Sequence, residues 1–240
     1  MTNKLNIKIP KTFMGLPVEG AMERVLRKDA EKPITTTTPD LTRPKDGMIY
    51  IPEPNIYFAN QRTHLGKNWD EAHELLKSEG LRMPTLTEFR QTLKYLKNSS
   101  TSEHQEFYKE ITEVRDPWRA NWIDAYFEKR NDGIYILTGN KTKSEKLEDC
   151  LMQDKTPGIN IENWVEGINV TSHGIPNSNI ENGNLYYWKP QNGKVARFLA
   201  YSEWAYLYCD RYSSNGSSDL GVFAVSSAGD KARQNAGGVK

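Results

Sequence analysis

Residues 205–212 alternate between two kinds of side chain. Ala205, Leu207 and Cys209 are small or apolar, whereas Tyr206, Tyr208, Asp210 and Tyr212 are aromatic or polar. Successive side chains of a strand point to opposite faces, so this pattern predicts a strand with one buried and one displayed face. The polar run SSNGSSD follows, and then the apolar run LGVFAV predicts a second strand. Arg211 falls in phase with the inner series and breaks it. Two readings are open for it: the end of the strand, or a pair with a buried carboxylate.

Upstream the period changes to that of helices. A helix is predicted over 69–78, with Asn68 and Glu71 as a reciprocal cap and Trp69, Ala72, Leu75 and Leu76 as its apolar stripe. Gly80 follows its end. A second helix starts at Thr85, boxed by Glu88, with Phe89, Leu93 and Leu96 inward. A third is predicted over 103–114, with Phe107, Ile111 and Val114 inward. A strand is predicted at 48–51. Asn131-Asp132-Gly133 and Asn192-Gly193 are hairpin-turn signals, the second between LYYWKP and KVARFLA. Between them, 139–184 has few regular signals.

Residues 1–45 read as an N-terminal extension. It contains a short amphipathic helix at 19–29, a candidate for contact with another subunit, and the Thr/Pro-rich run 35–47. The main domain spans 46–228. The polar run after Ser226 reads as a flexible tail, with 229–240 outside the domain. Early helices and late strands favour an α+β domain over a parallel α/β one.

Composition narrows the function classes. Lys and Arg number 32 against 31 Asp and Glu, and no basic stripe stands out, so a nucleic-acid footprint is absent. No apolar run has the length of a membrane span, and the N-terminus lacks the apolar core of a signal peptide, pointing to a cytoplasmic or virion location. Six Trp and twelve Tyr argue against disorder. The two cysteines, Cys150 and Cys209, have no metal-ligand spacing; packing is the reading for Cys209, with a Cys150–Cys209 disulfide as the alternative.

His64, His73, His104 and His173 form no metal pair or triad, and His73 and His104 are expected on the solvent faces of their helices. No phosphate loop, dinucleotide fingerprint or HExxH motif occurs. No cofactor, metal or catalytic residue is therefore assigned. Sequons at Asn98, Asn140, Asn169 and Asn215 read as chance matches. Glu53-Pro54-Asn55 reads as a turn rather than a calcium-binding tripeptide. By contrast, Tyr, Ser, Asn and Asp around a stiff strand have the composition of a recognition surface. Tyr gives contact area at low entropy cost, and Ser and Asn give adaptable hydrogen bonds.

Gly80-Leu81-Arg82-Met83-Pro84-Thr85, followed by Glu88-Phe89, resembles the helix start of C-type-lectin-fold domains of the formylglycine-generating-enzyme type. The run NLYYWKPQNGKVARFLA, the Tyr/Ser/Asp-rich strand and loop, and LGVFAV resemble the C-terminus of variable proteins of diversity-generating retroelements. The resemblance covers about 46–228. It implies a C-type lectin-like fold and a non-enzymatic protein whose region at about 198–220 is rewritten at template adenines to recognise a protein or cell-surface ligand. Carriers of such elements include phages, viruses, bacteria and archaea.

The implied ligand face comprises Tyr201, Glu203, Trp204, Tyr206, Tyr208, Asp210, Tyr212, Ser213, Asn215, Ser217, Ser218 and Asp219. Most of these types can be reached from an Asn codon by adenine mutation. Trp204 and Glu203 cannot, so they are either scaffold or derived from other template codons. The alternatives are a fixed structural or adhesin virion module, and an enzyme of the formylglycine-generating type using Cys209 with Cys150.

Overall fold

Two capping boxes fix where the main helices begin. In a computed structural model, which describes residues 12–13, 16–17, 47–113, 116–148, 153–177 and 182–229, α1 (Trp69–Ser78) starts at Asn68. The Asn68 side chain accepts from the Glu71 amide, and the Glu71 carboxylate accepts from the Asn68 amide. Helix α2 (Leu86–Asn98) starts in the same way at Thr85 with Glu88. Each box satisfies two donors that a helix start leaves bare. Helix α3 (Ser102–Thr112) begins at Thr101 without a side-chain cap. Val114, Cys150 and the helix expected at 19–29 lie outside the described residues.

The chain divides into two compact units, Met1–Asp40 and Leu41–Lys240. In the first, Thr12–Phe13 pairs antiparallel with Leu16–Pro17. The second is of mixed α+β character. Its small sheet has β1 (Met48–Ile51), β2 (Ile56–Ala59) and, from the far end of the sequence, β11 (Val225–Ser227). The large sheet contains β3 (Arg119–Arg130), β4 (Gly133–Thr138), β5 (Lys143–Lys146), β6 (Lys155–Ile159), β7 (Leu185–Trp188), β8 (Lys194–Tyr201), β9 (Trp204–Arg211) and β10 (Leu220–Gly221). Its order is β5-β4-β3-β8-β9-β7-β6, with β10 beside β3. Helix α4 (Ile161–Glu166) follows β6.

Several expectations need correction. β3 and β4 do form the hairpin announced by Asn131-Asp132-Gly133. Asn192-Gly193 does not close one. β9 lies between β7 and β8, and it pairs parallel with β7 and antiparallel with β8. The late strands are thus not all antiparallel; β10 also runs parallel to β3. The turn instead carries the chain over the end of β9. Gln191 N–H donates to Cys209 C=O, and Gly193 N–H, at φ +72°, donates to Phe127 C=O. The apolar run LGVFAV is not one strand: β10 joins the large sheet and β11 the small one. The long region 139–184 contains β5, β6 and α4. The tail expected to be flexible does not begin directly after Ser226, because Ser227 pairs with Ile56 and Ala228 is buried, both inside the 46–228 expected for the domain.

The large sheet separates two cores. On one face Ile123, Phe127, Phe198, Leu185, Tyr187, Ala205, Leu207 and Cys209 pack beneath α2, α3 and α4 through Phe89, Leu93, Ile111 and Trp164. On the other face Ala120, Trp122, Val195 and Leu199 pack with Trp69, Leu76, Leu220 and Val222. Trp69 joins α1 to the sheet, its Nε1–H donating to Ile123 C=O at 2.8 Å. The stripe of α1 is rotated from the expected one. His73 is buried where Leu75, 38% exposed, was expected. The His73 ring packs edge-on against Trp69 at 4.1 Å, and its Nε2 lies 3.3 Å from the Asp124 carboxylate of β3. His104 is half-buried rather than open, hydrogen-bonded to Ser99.

Candidate functional site

The inner series of β9 is as expected: Ala205, Leu207 and Cys209 are fully buried. Cys209 is a free thiol, and burial pushes its ionisation well above the ordinary range. A thiol held protonated beneath helices is suited to packing.

Cross-strand partners define the outer face. Tyr201 stands opposite Trp204, Leu199 opposite Tyr206 and Arg197 opposite Tyr208. On the other side of β9, Tyr186 and Trp188 of β7 are in register with Tyr206 and Tyr208. Facing residues share a side of the sheet. The result is a ladder of five rings. Trp204 stacks on Tyr186 at 4.9 Å, and Tyr186 meets Tyr206 edge-on at 5.4 Å. Trp188 stacks on Tyr206 at 6.0 Å and on Tyr208 at 4.4 Å. Trp204, Tyr206 and Tyr208 are all half-buried, and Tyr206 and Tyr208 also pack against the second core.

A bulge decides the fate of Arg211. Between the pairs Val195–Arg211 and Arg197–Tyr208, two steps along β8 face three along β9. The extra residue re-aims the strand end. Arg211 therefore lies with Tyr208 on the outer face, its guanidinium carbon 3.9 Å from the ring centroid. Of the two readings kept for Arg211, both hold in altered form. It ends β9, and its Nε donates at 2.9 Å to Asp210, whose side chain is only 14% exposed. Burial pushes the Tyr208 phenol up, against the opposing pull of Arg211 and Arg197.

The loop after β9 is held by its main chain. Ser213 C=O accepts from Trp69 N–H, Asn215 N–H donates to Tyr212 C=O, and Leu220 N–H donates to Ser217 C=O. Asp219 C=O accepts from both Ala120 N–H and the Arg62 guanidinium. Gly221 is needed at the loop exit, because a Cβ there would lie 2.8 Å from Thr63 O and Leu65 Cδ2. Side chains are less committed. Ser218 donates to the Asp219 carboxylate, while Tyr212, 62% exposed, lies beneath Lys194, whose Nζ is 2.9 Å from the ring centroid. Ser213, Asn215, Ser217 and Asp219 are half-buried and Ser218 is exposed.

At the opposite end, Glu203 and Tyr201 are exposed, the latter by 51%. Ser202 and Glu203 form a two-residue loop between β8 and β9, with Ser202 at φ +53°. The structure therefore joins Tyr201, Trp204, Tyr206 and Tyr208 on one face, with Tyr212 and the loop beyond them. It adds residues that sequence reasoning missed: Tyr186, Trp188 and Arg197. For Tyr186 and Trp188 the signal was present in LYYWKP, an aromatic run, but its pairing with β9 was hidden by the turn that follows, and Arg197 in KVARFLA had no local signal. Among the described residues, no group of three or more His, Cys, Asp or Glu is placed to hold a metal. No described helix is long and apolar enough to cross a membrane.

The chain matches no protein-family model, no curated protein and no solved structure.

Proposed function

We propose that the chain is a non-enzymatic ligand-binding protein with a C-type lectin-like domain, and that its Tyr201, Trp204, Tyr206, Tyr208, Tyr212 and loop side chains form a recognition face diversified by a retroelement. The observation carrying this reading is the division of labour in 212–219. Backbone hydrogen bonds hold the loop, so Ser213, Asn215, Ser217 and Ser218 are free to change without loss of a fold-defining contact. The ring ladder beside the loop supplies rigid contact area, and aromatic anchors dominate the energy of protein interfaces.

The burial of Cys209 disfavours the enzyme alternative, in which this thiol would react. A fixed structural or adhesin module is the remaining rival. Sequencing the gene across its source population separates the two. Amino-acid changes concentrated at 201–219, at DNA sites that are adenine in a nearby template repeat, are expected. An invariant segment without such a repeat removes the diversified reading and leaves the fixed module.

A further inference from the structure

Arg197 stands where the ring ladder ends. Its guanidinium carbon lies 5.2 Å from the Tyr208 ring centroid, while that of Arg211 lies 3.9 Å from it. Two guanidiniums thus converge on one phenol. Arg211 has a carboxylate, because its Nε and Nη2 both donate to Asp210. Arg197 Nε is buried with no hydrogen-bond partner. Burial, reinforced by repulsion from Arg211, pushes Arg197 down to about 10. Lys194, three residues away on the same strand, covers Tyr212. Arg197 and Arg211 therefore share Asp210 as the nearby acid, which leaves an excess of positive charge around Tyr208. A buried, unmatched charged donor is costly to a folded protein, and an arriving anion removes that cost.

We propose that Arg197, with Arg211 beside Tyr208, is a seat for a carboxylate of an acidic peptide segment on the protein ligand. The inference rests on the reading of this face as a recognition surface. The planar guanidinium fork matches a carboxylate in two parallel hydrogen bonds, which gives direction as well as attraction. The ring beside the seat argues for a peptide over a sugar acid. Tyr208 already stacks with Trp188 at 4.4 Å and has the Arg211 guanidinium carbon 3.9 Å from its centroid. A flat sugar needs a free ring face to stack upon, whereas a peptide carboxylate needs only the guanidiniums. Arg197 also lies outside the span 198–220. Diversification would change the surroundings of the seat and retain the seat itself, so variants of different specificity would share a demand for one acidic residue.

The test uses the full chain, labelled with ¹⁵N and observed at the arginine Nε–Hε resonances. A capped tetraglutamate peptide should shift the Arg197 signal saturably, and a capped tetraglutamine peptide should not. Binding of tetraglutamate should weaken as salt is raised. Arg197→Met should lower its affinity about tenfold, the loss of a charge-assisted pair. If Arg197→Met does not fold, Arg197→Lys serves instead: it keeps the charge, loses the fork, and should bind several-fold more weakly. An unmoved Arg197 signal, equal shifts from both peptides, or saturation by glucuronate in place of tetraglutamate would overturn the seat. Should that happen while codons 201–219 vary in the source population, the seat alone falls and the recognition face stands. An invariant segment with a tetraglutamate-responsive Arg197 would remove the diversification alone and leave the seat on a fixed recognition face.

Discussion

The two faces of β9 are built from alternate residues of one strand, yet they answer to different constraints. Inward, Ala205, Leu207 and Cys209 have no exposed surface and pack beneath three helices. Outward, Trp204, Tyr206 and Tyr208 are larger but only half-buried, and they lean on other rings of the same face. The outer face is itself divided. Over β3 and β8 it is buried beneath Trp69 and Leu220, whereas Tyr206 and Tyr208 of β9 only border that cluster and remain half-buried. A strand can thus hold a core with one set of side chains and leave the other set open to change, because the pleat separates them.

The largest effect should come from removing the roof. Trp69→Ala deletes a fully buried ring and its hydrogen bond to Ile123, and should cost about 3–5 kcal/mol in denaturant unfolding. Leu207→Ala, on the inner face, should cost about 2–5 kcal/mol. Tyr206→Ala, one position away, should cost markedly less. Equal losses at these neighbours would break the comparison.

A third change probes the support of the inner face from a distance. Glu88 accepts from Arg82 at 2.6 Å through both oxygens and also caps α2. Burial pushes the Glu88 carboxyl up, but the Arg82 hydrogen bonds and charge and the Thr85 contacts outweigh it and hold the group below its ordinary range. Its folded-state value is therefore below its unfolded one. The stabilisation is complete above the ordinary carboxylate range and is lost as pH falls through the lowered value. Glu88→Gln should cost about 1–2 kcal/mol at neutral pH, moderated by solvent at Arg82, and should flatten this part of the acid limb of a stability–pH curve. The smallest effect is expected in the loop. Ser213→Ala, Ser217→Ala and Ser218→Ala should each change stability by less than about 0.5 kcal/mol.

What the sequence discloses follows the range of the interaction involved. Both capping boxes and the alternation of β9 are local, and both are present as read. The rotation of α1 is not local. Leu75 is more apolar than His73, but the histidine packs on Trp69 and comes within 3.3 Å of Asp124, far along the chain. The β9 bulge is equally hidden, because it arises from the register against β8 and moves Arg211 across the sheet. Asn192-Gly193 is a genuine turn whose two flanking strands are separated by a third. A turn signal shows that the chain reverses, not that its flanks pair. The hairpin at Ser202-Glu203 was missed for the opposite reason: it lacks the Asn-Gly or Asp-Gly chemistry that marks such loops. For the candidate face, the β9 residues were legible, whereas Tyr186, Trp188 and Arg197 required the strand order.

The central claim is that one strand and its loop combine a fixed scaffold with a changeable surface. A pooled library of all single substitutions across 195–225, expressed and challenged with protease, tests it most directly. The account predicts depletion at Ala205, Leu207, Cys209, Leu220, Val222 and Phe223, with broad survival at Tyr206, Tyr208, Tyr212, Ser213, Asn215, Ser217 and Ser218. Depletion at the second group as severe as at the first would contradict it, because a face that cannot change without loss of the fold cannot be a surface for diversification.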